Sequence, residues 1–500
     1  METHVNNKPV RRVVIAGGGT AGWMVAACLG KSLGKRLDIK LVESDEIGTV
    51  GVGEATIPTL QNFHHLLEIN EQEFMAATHA TFKLGISFEN WRDVHQDYIH
   101  SFGNTGIDHW TAGFQHFWHK GRERGLAGDY GDYCLEHRAA QLNRFAHLPK
   151  QIINYAYHMD AGAYARFLRR FSEHYGVQRV EAKIVDVVKD PDANTIRSIK
   201  LDSGTELEGD LFIDCSGFRA LLIGGALGVE YEDWSHWLFN DSAAALQTAS
   251  SGEAVPYTRS IAREAGWQWR IPLQHRVGNG HVFSSRFIDD EAAIATLNKH
   301  VTGEPLMQPR VIRFQPGQRK QVWVGNCVAI GLASGFLEPI ESTSIHLIQS
   351  AISRLIEFFP DRGFQDVERA EFNRQSRFEY ERIRDFIVLH YHLNQRTDSP
   401  YWLACANMAI PDTLRQKMDL YRARGKVVRV DNELFSEVGW IQVLEGQNMP
   451  VNAYNPLVDV QSEADIADYL DSVRGVIAKC VSVMPTHEEY IARHCAAPKM

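Results

Sequence analysis

Residues Arg11-Arg-Val-Val-Ile-Ala-Gly-Gly-Gly-Thr-Ala-Gly22 decide the fold, because a short apolar run leads straight into glycines with the spacing G-x-G-x-x-G. The run from Arg11 to Ala16 predicts a buried strand. Residues Thr20 to Leu33 predict a helix, and residues Leu37 to Val42 predict a second strand. The order of strand, turn, helix and strand is that of a βαβ unit, so the chain is expected to begin with a Rossmann-like module.

The glycine-rich turn is predicted to hold the pyrophosphate of a dinucleotide. Glycines let the backbone and a helix N-terminus approach the phosphates. Glu43, at the end of the second strand, stands where an acid usually binds the ribose. A glycine-rich structural turn without a ligand is the alternative interpretation. The predicted cofactor contacts of this module are Gly17, Gly19, Thr20, Ala21, Gly22 and Glu43.

Two later segments indicate which dinucleotide binds. Asp210-Leu-Phe-Ile-Asp-Cys-Ser-Gly217 and Gly325-Asn-Cys-Val-Ala-Ile-Gly331 are similar to the later FAD-contacting elements of two-domain flavoproteins. They favour FAD over NAD and add Asp214, Gly331 and Leu332 to the predicted contacts, although Asn326 stands where many flavoproteins have an aspartate. No second strand-bound G-x-G-x-x-G exists for NAD(P)H, so a separate reductase is expected to supply reduced FAD.

Composition and charge exclude several classes of protein. The 500 residues have a net charge of −10 and a sequence pI of about 6.1, which argues against binding nucleic acid through a basic face. A hydrophobic fraction of 44% suits a globular protein with a large core. The seven cysteines form no C-x-x-C pair, and polar residues rather than a secretory signal follow Met1. These two features predict a protein of the reducing cytoplasm. No apolar run approaches the roughly 20 residues that span a bilayer, so an integral membrane protein is not expected.

The rest of the chain predicts an α/β fold with an antiparallel sheet and a mainly helical end. Residues 62–118 have a helical pattern, whereas residues 243–288 alternate with period two, as in an antiparallel sheet that covers a pocket. Helical periodicity dominates from residue 365. We therefore predict an FAD-binding and catalytic module at residues 1–360 and a helical module at 361–500 that closes the substrate site. FAD elements are expected at 11–60, 155–225 and 322–350, and sheet and pocket elements at 80–150 and 230–315.

Three further segments carry a family resemblance: Gly51-Val-Gly-Glu-Ala-Thr-Ile-Pro58, Trp267-Gln-Trp-Arg-Ile-Pro272 and Ser334-Gly-Phe-Leu-Glu-Pro-Ile-Glu-Ser-Thr343. With Tyr157–Asp160, Cys215–Arg219 and Arg384–Tyr391, they resemble the flavin-dependent tryptophan halogenases, and the W-x-W-x-I-P segment is the most specific. The resemblance extends to about Pro411. It implies an enzyme that uses reduced FAD, oxygen and chloride or bromide to make hypohalous acid, and it adds Ala55 to the cofactor contacts.

The resemblance also assigns the catalytic and halide-binding residues. Lys83, in Phe82-Lys-Leu-Gly85, matches the lysine that receives hypohalous acid, and Glu341 matches the glutamate that polarises it or accepts the ring proton. The helix start at Thr343 and Ser344 implies a halide site, although the family commonly has glycine where this chain has Ser344. Taken alone, Lys83 reads as a solvated helix lysine and Glu341 as a helix-capping acid. No metal site is expected.

A wall between flavin and substrate is implied at Trp267, Trp269, Ile271 and Pro272, which also read as the core of a strand. The substrate ring is expected to lie among His100, Phe102 and Trp440. The tryptophan enzymes hold the amino-acid groups with a Tyr-Tyr pair followed by an acid, and no such pair follows residue 401. Free indole or an indole derivative is therefore favoured over tryptophan, and a carrier-tethered substrate is disfavoured because no basic docking patch stands out.

The expected partners are a flavin reductase, a halide and a small aromatic substrate, with no nucleic acid or membrane. Assembly into a homodimer stays open. An FAD-dependent aromatic monooxygenase is the nearest alternative, but it has no need of the W-x-W-x-I-P segment. A flavin-binding redox protein without turnover is the second alternative, and it leaves Lys83 and Glu341 unexplained.

Overall fold

The N-terminal module has the predicted order of elements. This computed structural model describes residues 8–46, 53–149, 152–191 and 194–498. A buried strand at Arg12–Ala16 leads through the glycine-rich turn into a helix at Thr20–Leu33, and a second strand follows at Asp38–Glu43. These bounds agree with the prediction to within one residue. Gly51 and Val52 of the G-V-G-E-A-T-I-P segment lie outside the described residues, as does the predicted polar start of the chain before residue 8.

The strands of the described residues are numbered in chain order. They are β1 (Arg12–Ala16), β2 (Asp38–Glu43), β3 (Glu54–Ala55), β4 (Thr81–Lys83), β5 (Gly85–Asp93), β6 (Gln96–Ser101), β7 (Ala156–Met159), β8 (Gln178–Glu181), β9 (Ile184–Lys189), β10 (Ile196–Leu201), β11 (Glu206–Glu208), β12 (Leu211–Asp214), β13 (Tyr231–Asp233), β14 (Ser242–Ala249), β15 (Thr258–Arg263), β16 (Gly266–Pro272), β17 (Arg276–Phe283), β18 (Arg310–Arg313), β19 (Gly317–Arg319), β20 (Trp323–Val324), β21 (Cys327–Ala329) and β22 (Gly335–Phe336).

The α-helices of the described residues are numbered in the same way. They are α1 (Thr20–Leu33), α2 (Thr59–Leu66), α3 (Glu71–Thr78), α4 (Phe114–Glu123), α5 (Leu135–Gln141), α6 (Ala161–His174), α7 (Asp290–His300), α8 (Ser344–Glu357), α9 (Asp366–His392), α10 (Pro400–Ala406), α11 (Asp412–Arg424), α12 (Glu437–Gly446), α13 (Glu463–Ser482) and α14 (His487–His494).

Unit 1 is built on a mainly parallel sheet. It comprises the described residues up to Thr78 together with Met159–His236 and Phe314–Glu381. Its six strands run in the order β20-β21-β12-β1-β2-β8, and only the β20–β21 pair is antiparallel. Apolar side chains of β1, β2, β12 and β21 form a buried core with those of β10. This architecture confirms the predicted Rossmann-like fold of the two-domain flavoprotein type.

Unit 2 is built on a larger, mainly antiparallel sheet. It comprises His79–His158, Trp237–Arg313 and the residues from Arg382 onward. Its seven strands run in the order β18-β14-β17-β16-β15-β5-β6, with β15 and β5 parallel. Ala293 and Leu297 of α7 pack against Ala244 and Leu246 of the sheet. The antiparallel sheet predicted at residues 243–288 is thus present, and helices dominate the end of the chain as predicted.

The predicted helical pattern over residues 62–118 is wrong in its centre. Helices α2, α3 and α4 lie on either side, but strands β4, β5 and β6 occupy Thr81–Ser101. Every residue from Thr81 to Phe88 is buried, so this stretch has no polar face of the kind a surface helix needs. Its aromatic and β-branched residues suit a pleated sheet instead.

The two units do not follow the predicted division at residue 360. Residues 361–381 group with unit 1, and residues 79–158 and 237–313 group with the helical end of the chain in unit 2. The physical reason is strand pairing between distant segments. Strand β5 pairs with β15, which lies about 170 residues later in the chain. Such a pairing is compatible with a stable fold because the entropic cost of closing a loop grows only slowly with its length.

Candidate functional site

The predicted site residues belong to both units. The cofactor and halide residues and Glu341 belong to unit 1, whereas Lys83, the substrate residues and the W-x-W-x-I-P strand belong to unit 2. No helix in the described ranges combines the length and apolar character needed to cross a membrane. In the same ranges no group of three or more His, Cys, Asp and Glu side chains is arranged to hold a metal ion.

Two glycines of the turn are required by the backbone around them. Gly17 has φ +111°, and a Cβ atom there would lie 2.3 Å from the carbonyl oxygen of Cys215. A Cβ atom on Gly22 would lie 1.9 Å from the carbonyl oxygen of Gly17. The turn therefore packs directly against the segment that follows β12, and α1 packs against the turn.

Gly19 differs from these two glycines because its missing side chain faces open space. Apart from its two chain neighbours, no heavy atom of the described residues lies within 4 Å of the position a Cβ atom would take there. Gly19 is also the N-cap of α1, and as a glycine it supplies no side chain to cap the first turn of that helix. An uncapped helix N-terminus beside open space suits a phosphate group, so the turn fits the pyrophosphate of a dinucleotide.

Replacing Gly22 and Gly19 separately with alanine is expected to separate folding from cofactor binding. Gly22→Ala places a methyl group on backbone and should prevent accumulation of folded protein. Gly19→Ala should leave the thermal unfolding midpoint without cofactor unchanged, but should weaken FAD binding about tenfold or more because its methyl group enters the phosphate space. Fluorescence titration with FAD measures this loss. Unchanged FAD affinity in Gly19→Ala would show that the cofactor does not approach this position.

The two acids predicted to contact the cofactor are engaged by protein groups. Glu43 forms an ion pair with Arg179 and accepts a hydrogen bond from Trp23 at 3.3 Å. Asp214 is fully buried, and its carboxylate accepts hydrogen bonds from Ser216 and from the backbone N–H groups of Leu222 and Ile223 at 2.9 Å. Asp214 thus holds the turn after β12 in shape, and direct contact of either acid with the cofactor stays a prediction.

Other predicted cofactor residues lie close to the same helix. A Cβ atom on Gly331 would lie 2.9 Å from Cβ of Ala21, so the segment containing Gly331 and Leu332 approaches the start of α1. The Asn326 side chain instead exchanges hydrogen bonds with the backbone of Ile196 at 2.8 Å, which ties β21 to β10.

Glu54 is a feature of the G-V-G-E-A-T-I-P segment that the sequence analysis missed. It precedes the buried Ala55 in β3, and burial raises the pKa of its carboxyl group to about 7. An acid with a pKa near neutrality can hold or release a proton under ordinary conditions. The motif itself was visible, but the burial that shifts this pKa was not.

The predicted halide residues lie at the start of α8. Ser342 has φ 57°, Thr343 is the N-cap of α8, and the Thr343 side chain makes no capping hydrogen bond. The Thr343 hydroxyl is buried and has no hydrogen-bond partner among the described residues. Glu341 precedes this turn and is 0% exposed. A left-handed residue before a helix start, with a buried hydroxyl, is a suitable environment for a small anion.

Lys83 lies on a strand and is buried, contrary to the solvated helix lysine that its position alone suggested. It ends β4 and is 0% exposed. Its cross-strand neighbour on the antiparallel strand β7 is the small residue Ala156. The ammonium group lies 5.2 Å from the centre of the Phe102 ring. The structure therefore brings the predicted catalytic lysine together with a predicted substrate residue.

The W-x-W-x-I-P segment forms most of β16 and is buried in unit 2. Trp267 and Trp269 have their ring centres 6.3 Å apart on one face of the strand. Gly280 lies opposite Trp269 on β17, and a Cβ atom there would overlap the indole ring. Ile271 and Pro272 continue the buried strand. These residues form a packed core, as predicted for the interior of a strand. Their role as a wall beside the flavin stays a prediction.

The other predicted substrate residues belong to an aromatic cluster. His100 lies 5.4 Å from Phe386, ring centre to ring centre, and Trp440 lies 4.7 Å from the same ring. Phe435 stacks on Phe386 at 3.8 Å. Lys417 lies 4.8 Å from the Trp440 ring and pairs with the buried Glu433. Sequence reasoning missed Phe386 and Phe435, although Phe386 lies within the Arg384–Tyr391 segment that carried part of the resemblance.

Two polar side chains of α12, the helix that contains Trp440, interact with other groups of the protein. The Gln442 amide accepts two hydrogen bonds from Ser101 and donates two, to Gly103 and Thr105, at 2.9 to 3.2 Å. A primary amide has two donors and an acceptor with two lone pairs, so this side chain is saturated. Glu445 is likewise held by Tyr421 and by His119 at 3.1 Å.

His487 of α14 reaches the backbone of β4 and was not singled out from the sequence. Its Nε2 accepts a hydrogen bond from the Phe82 N–H at 3.1 Å, and its Nδ1 lies 2.7 Å from the carbonyl oxygen of Ala254. Because a carbonyl only accepts, Nδ1 carries the proton and the imidazole is neutral. Burial lowers the pKa of His487 to about 4.

This neutral histidine predicts a specific acid sensitivity. Its folded-state pKa lies below the ordinary value of about 6.5, so between these values the unfolded chain binds the proton and the folded chain does not. Stability is fully present above pH 6.5 and falls as the pH drops towards 4, by up to about 1.4 kcal/mol per pH unit. We expect His487→Gln to lose less stability than the original chain between pH 6.5 and 5.5, measured by urea unfolding. Equal losses would contradict the assigned neutral state.

Comparisons with known proteins agree on one family. Residues 12–463 match the family model described as tryptophan halogenase. The chain is 39% identical to tryptophan 7-halogenase RebH from Lentzea aerocolonigenes, covering 83% of this chain and 82% of that protein. A flavin-dependent halogenase from Xanthomonas campestris is 58% identical, with a TM-score of 0.97 over 99% of this chain and 100% of that one. Another from Brevundimonas sp. BAL3 is 45% identical, with a TM-score of 0.94 over 97% and 99%.

Proposed function

This chain belongs to the tryptophan halogenase family of flavin-dependent enzymes, and we propose that it halogenates a free indole or indole derivative through Lys83 and Glu341. A separate flavin reductase supplies reduced FAD in this proposal, and chloride or bromide is the halide. The observation that carries the choice of residues is the complete burial of Lys83 on β4, beside Phe102. Burying an ammonium group costs solvation free energy. Buried ionisable groups of this kind are often found at functional sites.

FAD fits the residues of unit 1. The uncapped start of α1 with the open space at Gly19 would hold the pyrophosphate, and Glu43 would face the ribose. Gly331, which approaches Ala21 of α1, is proposed to contact the cofactor together with Leu332 and Ala55. When bound in reduced form, the cofactor supplies hypohalous acid from oxygen and halide.

Lys83 is proposed to hold the electrophilic halogen by donating a hydrogen bond from its ammonium group. An ammonium group in a site without water is a strong donor, and the Phe102 ring 5.2 Å away restricts where it points. Glu341 accepts the proton that the aromatic ring loses. Thr343 and Ser344 bind the halide, which is supported by the buried Thr343 hydroxyl and the uncapped start of α8.

The proposed preference for indole over tryptophan rests on the polar groups around Trp440. Free tryptophan brings a carboxylate and an ammonium group that must be paired when water is excluded. Gln442 is saturated by Ser101, Gly103 and Thr105, and Glu445 is engaged by Tyr421 and His119. An indole without these groups needs only the aromatic surface of His100, Phe102 and Trp440.

Among the similar proteins reported above, one is named for tryptophan and two are named without a substrate. RebH, which is 39% identical, is named a tryptophan 7-halogenase. The two solved structures that are 58% and 45% identical are named flavin-dependent halogenases, without a stated substrate. The substrate must therefore be decided by experiment.

The experiment supplies the protein with FAD, a flavin reductase, NADH and either chloride or bromide, and offers indole and tryptophan in parallel. Mass spectrometry should find the halogen isotope pattern on indole at a rate well above that on tryptophan. A faster reaction with tryptophan would overturn the substrate proposal while keeping the enzyme class. A mass gain of one oxygen without halogen would instead favour an aromatic monooxygenase.

A further inference from the structure

The Tyr157-His-Met-Asp160 segment carries part of the family resemblance but has no role in the function proposed above. Its His158 is 0% exposed and lies on β7, directly opposite Thr81 of β4. Thr81 and Lys83 are two residues apart on β4, so their side chains lie on the same face of the strand. His158 is therefore placed beside the catalytic lysine of the proposed mechanism, in unit 2.

The hydrogen bonds of Thr81 fix the protonation of His158. The Thr81 hydroxyl donates its only proton to the carbonyl oxygen of Pro272 at 2.8 Å, because a carbonyl cannot donate. His158 Nδ1 lies 3.0 Å from the same hydroxyl oxygen, so Nδ1 must carry a proton and donate it. On the other side, Nε2 lies 2.9 Å from the Thr258 hydroxyl and accepts from it when the imidazole is neutral.

The environment of the imidazole favours this neutral form. Burial lowers the pKa of His158 well below its ordinary value, and the positive charge of Lys83 lowers it further. The hydrogen-bonded chain therefore places no second positive charge next to the lysine.

The chain of hydrogen bonds joins four strands around Lys83. Thr81 belongs to β4, His158 to β7 and Thr258 to β15, and Pro272 ends β16, the strand of the W-x-W-x-I-P segment. The opposite edge of β4 is held by His487, which accepts from the Phe82 N–H at 3.1 Å. Strand β4 is thus fixed on both sides immediately before Lys83.

We propose that His158 is a positioning residue, which through Thr81 fixes the strand of Lys83 against the Pro272 end of the W-x-W-x-I-P strand. This inference rests on the proposed role of Lys83. In this role His158 keeps the Lys83 ammonium group in one position, so that the halogen is delivered to the substrate rather than lost to water. Misplacement of a reacting group by about 1 Å costs on the order of a hundredfold in rate, so a small shift of β4 is sufficient to uncouple the reaction.

The first test uses Thr81→Val and Thr81→Ser, because replacing the fully buried His158 itself would also disturb packing. Valine keeps the shape of threonine but removes the hydroxyl that links His158 to Pro272, whereas serine keeps the hydroxyl. We expect Thr81→Val to lower the halogenated product formed per NADH consumed about tenfold or more, with KM and FAD affinity nearly unchanged. Thr81→Ser should restore the yield to near that of the original chain. Equal yields in Thr81→Val and the original chain would overturn the proposal.

The second test measures the protonation state of His158 directly. Nitrogen NMR of protein labelled with ¹⁵N-histidine should show His158, identified by its absence in His158→Asn, with a protonated Nδ1 and an unprotonated Nε2 at pH 7. A proton on Nε2 instead would overturn the hydrogen-bond chain. Lys83→Ala separates this inference from the function on which it rests. If that variant still halogenates, the proposed role of Lys83 fails whatever the Thr81 variants do, and if it does not, the Thr81 pair tests positioning alone.

Discussion

Replacing Lys83 with alanine is expected to reduce halogenated product about a thousandfold or more, while FAD binding and the release of hydrogen peroxide persist. The buried ammonium group beside Phe102 is the proposed donor that holds the electrophilic halogen, and a methyl group cannot replace it. Product is measured by mass spectrometry with indole and bromide, and peroxide by a coupled peroxidase assay. Continued halogenation in Lys83→Ala would remove Lys83 from the mechanism.

A second buried lysine of unit 2 provides the matched control. Lys120 is 7% exposed, and its ammonium group donates to the carbonyl oxygens of Val458 at 3.3 Å and Gln461 at 3.1 Å. Its contacts are those of a structural residue that ties α4 to the segment after α12. Lys120→Ala should lower the thermal unfolding midpoint but leave the product formed per NADH unchanged. The comparison separates loss of a buried charge from loss of the proposed chemistry.

Replacing Glu341 with glutamine is expected to slow halogenation about a hundredfold, with KM for the aromatic substrate little changed. The amide keeps the size of the carboxylate but cannot accept the proton that leaves the ring. Glu341 is fully buried in the short helical turn Pro339–Glu341 before α8, so the change should not alter solvent exposure. Single-turnover measurement with pre-reduced FAD records this rate directly, without the reductase.

Glu338, three residues earlier, is the control for this substitution because it is also 0% exposed. Glu338→Gln makes the same change of charge in the same segment, outside the residues assigned to chemistry. If the effect of Glu341→Gln comes from the position of Glu341 and not from the loss of any buried charge, Glu338→Gln should halogenate within a few-fold of the rate of the original chain. An unchanged rate in Glu341→Gln would reduce Glu341 to a residue that stabilises the turn before α8.

The sequence predicted most of the architecture where local signals were strong. The glycine spacing after β1, the period-two alternation of β14 to β17 and the long helical pattern after residue 365 each depend on neighbouring residues, and each predicted the right element. The strands from Thr81 to Ser101 were predicted to be helical, in part because Thr81–Phe88 is fully buried and so lacks the polar alternation that marks a strand. Their identity depends on partners such as β15, which lie far along the chain.

Side-chain partners were the part of the site that the sequence could not provide. Motifs placed Lys83, Glu341 and Thr343 in buried positions suited to the roles they imply, but those roles remain proposals. Asp214 was marked by its place at the end of β12, yet its carboxylate is used by Ser216 and the turn after it. His158 lies in a recognised motif, but the sequence predicted no role for it. Its proposed role depends on hydrogen bonds that involve Thr81 and Pro272, which lie about 80 and 110 residues away along the chain.

The strand order of unit 1 has a consequence for biosynthesis. Strand β1 pairs with β12, and β12 pairs with β21, so the sheet that carries the glycine-rich turn is completed only when Cys327–Ala329 has left the ribosome. At translation rates of about 5–20 residues per second, this delay is roughly fifteen seconds to a minute. Until Leu211–Asp214 has emerged, β1 presents an unpaired backbone edge to other nascent chains, and β12 does so until Cys327–Ala329 has emerged. Slower growth at lower temperature and an ample supply of chaperones are therefore expected to raise the yield of folded protein more than added FAD does.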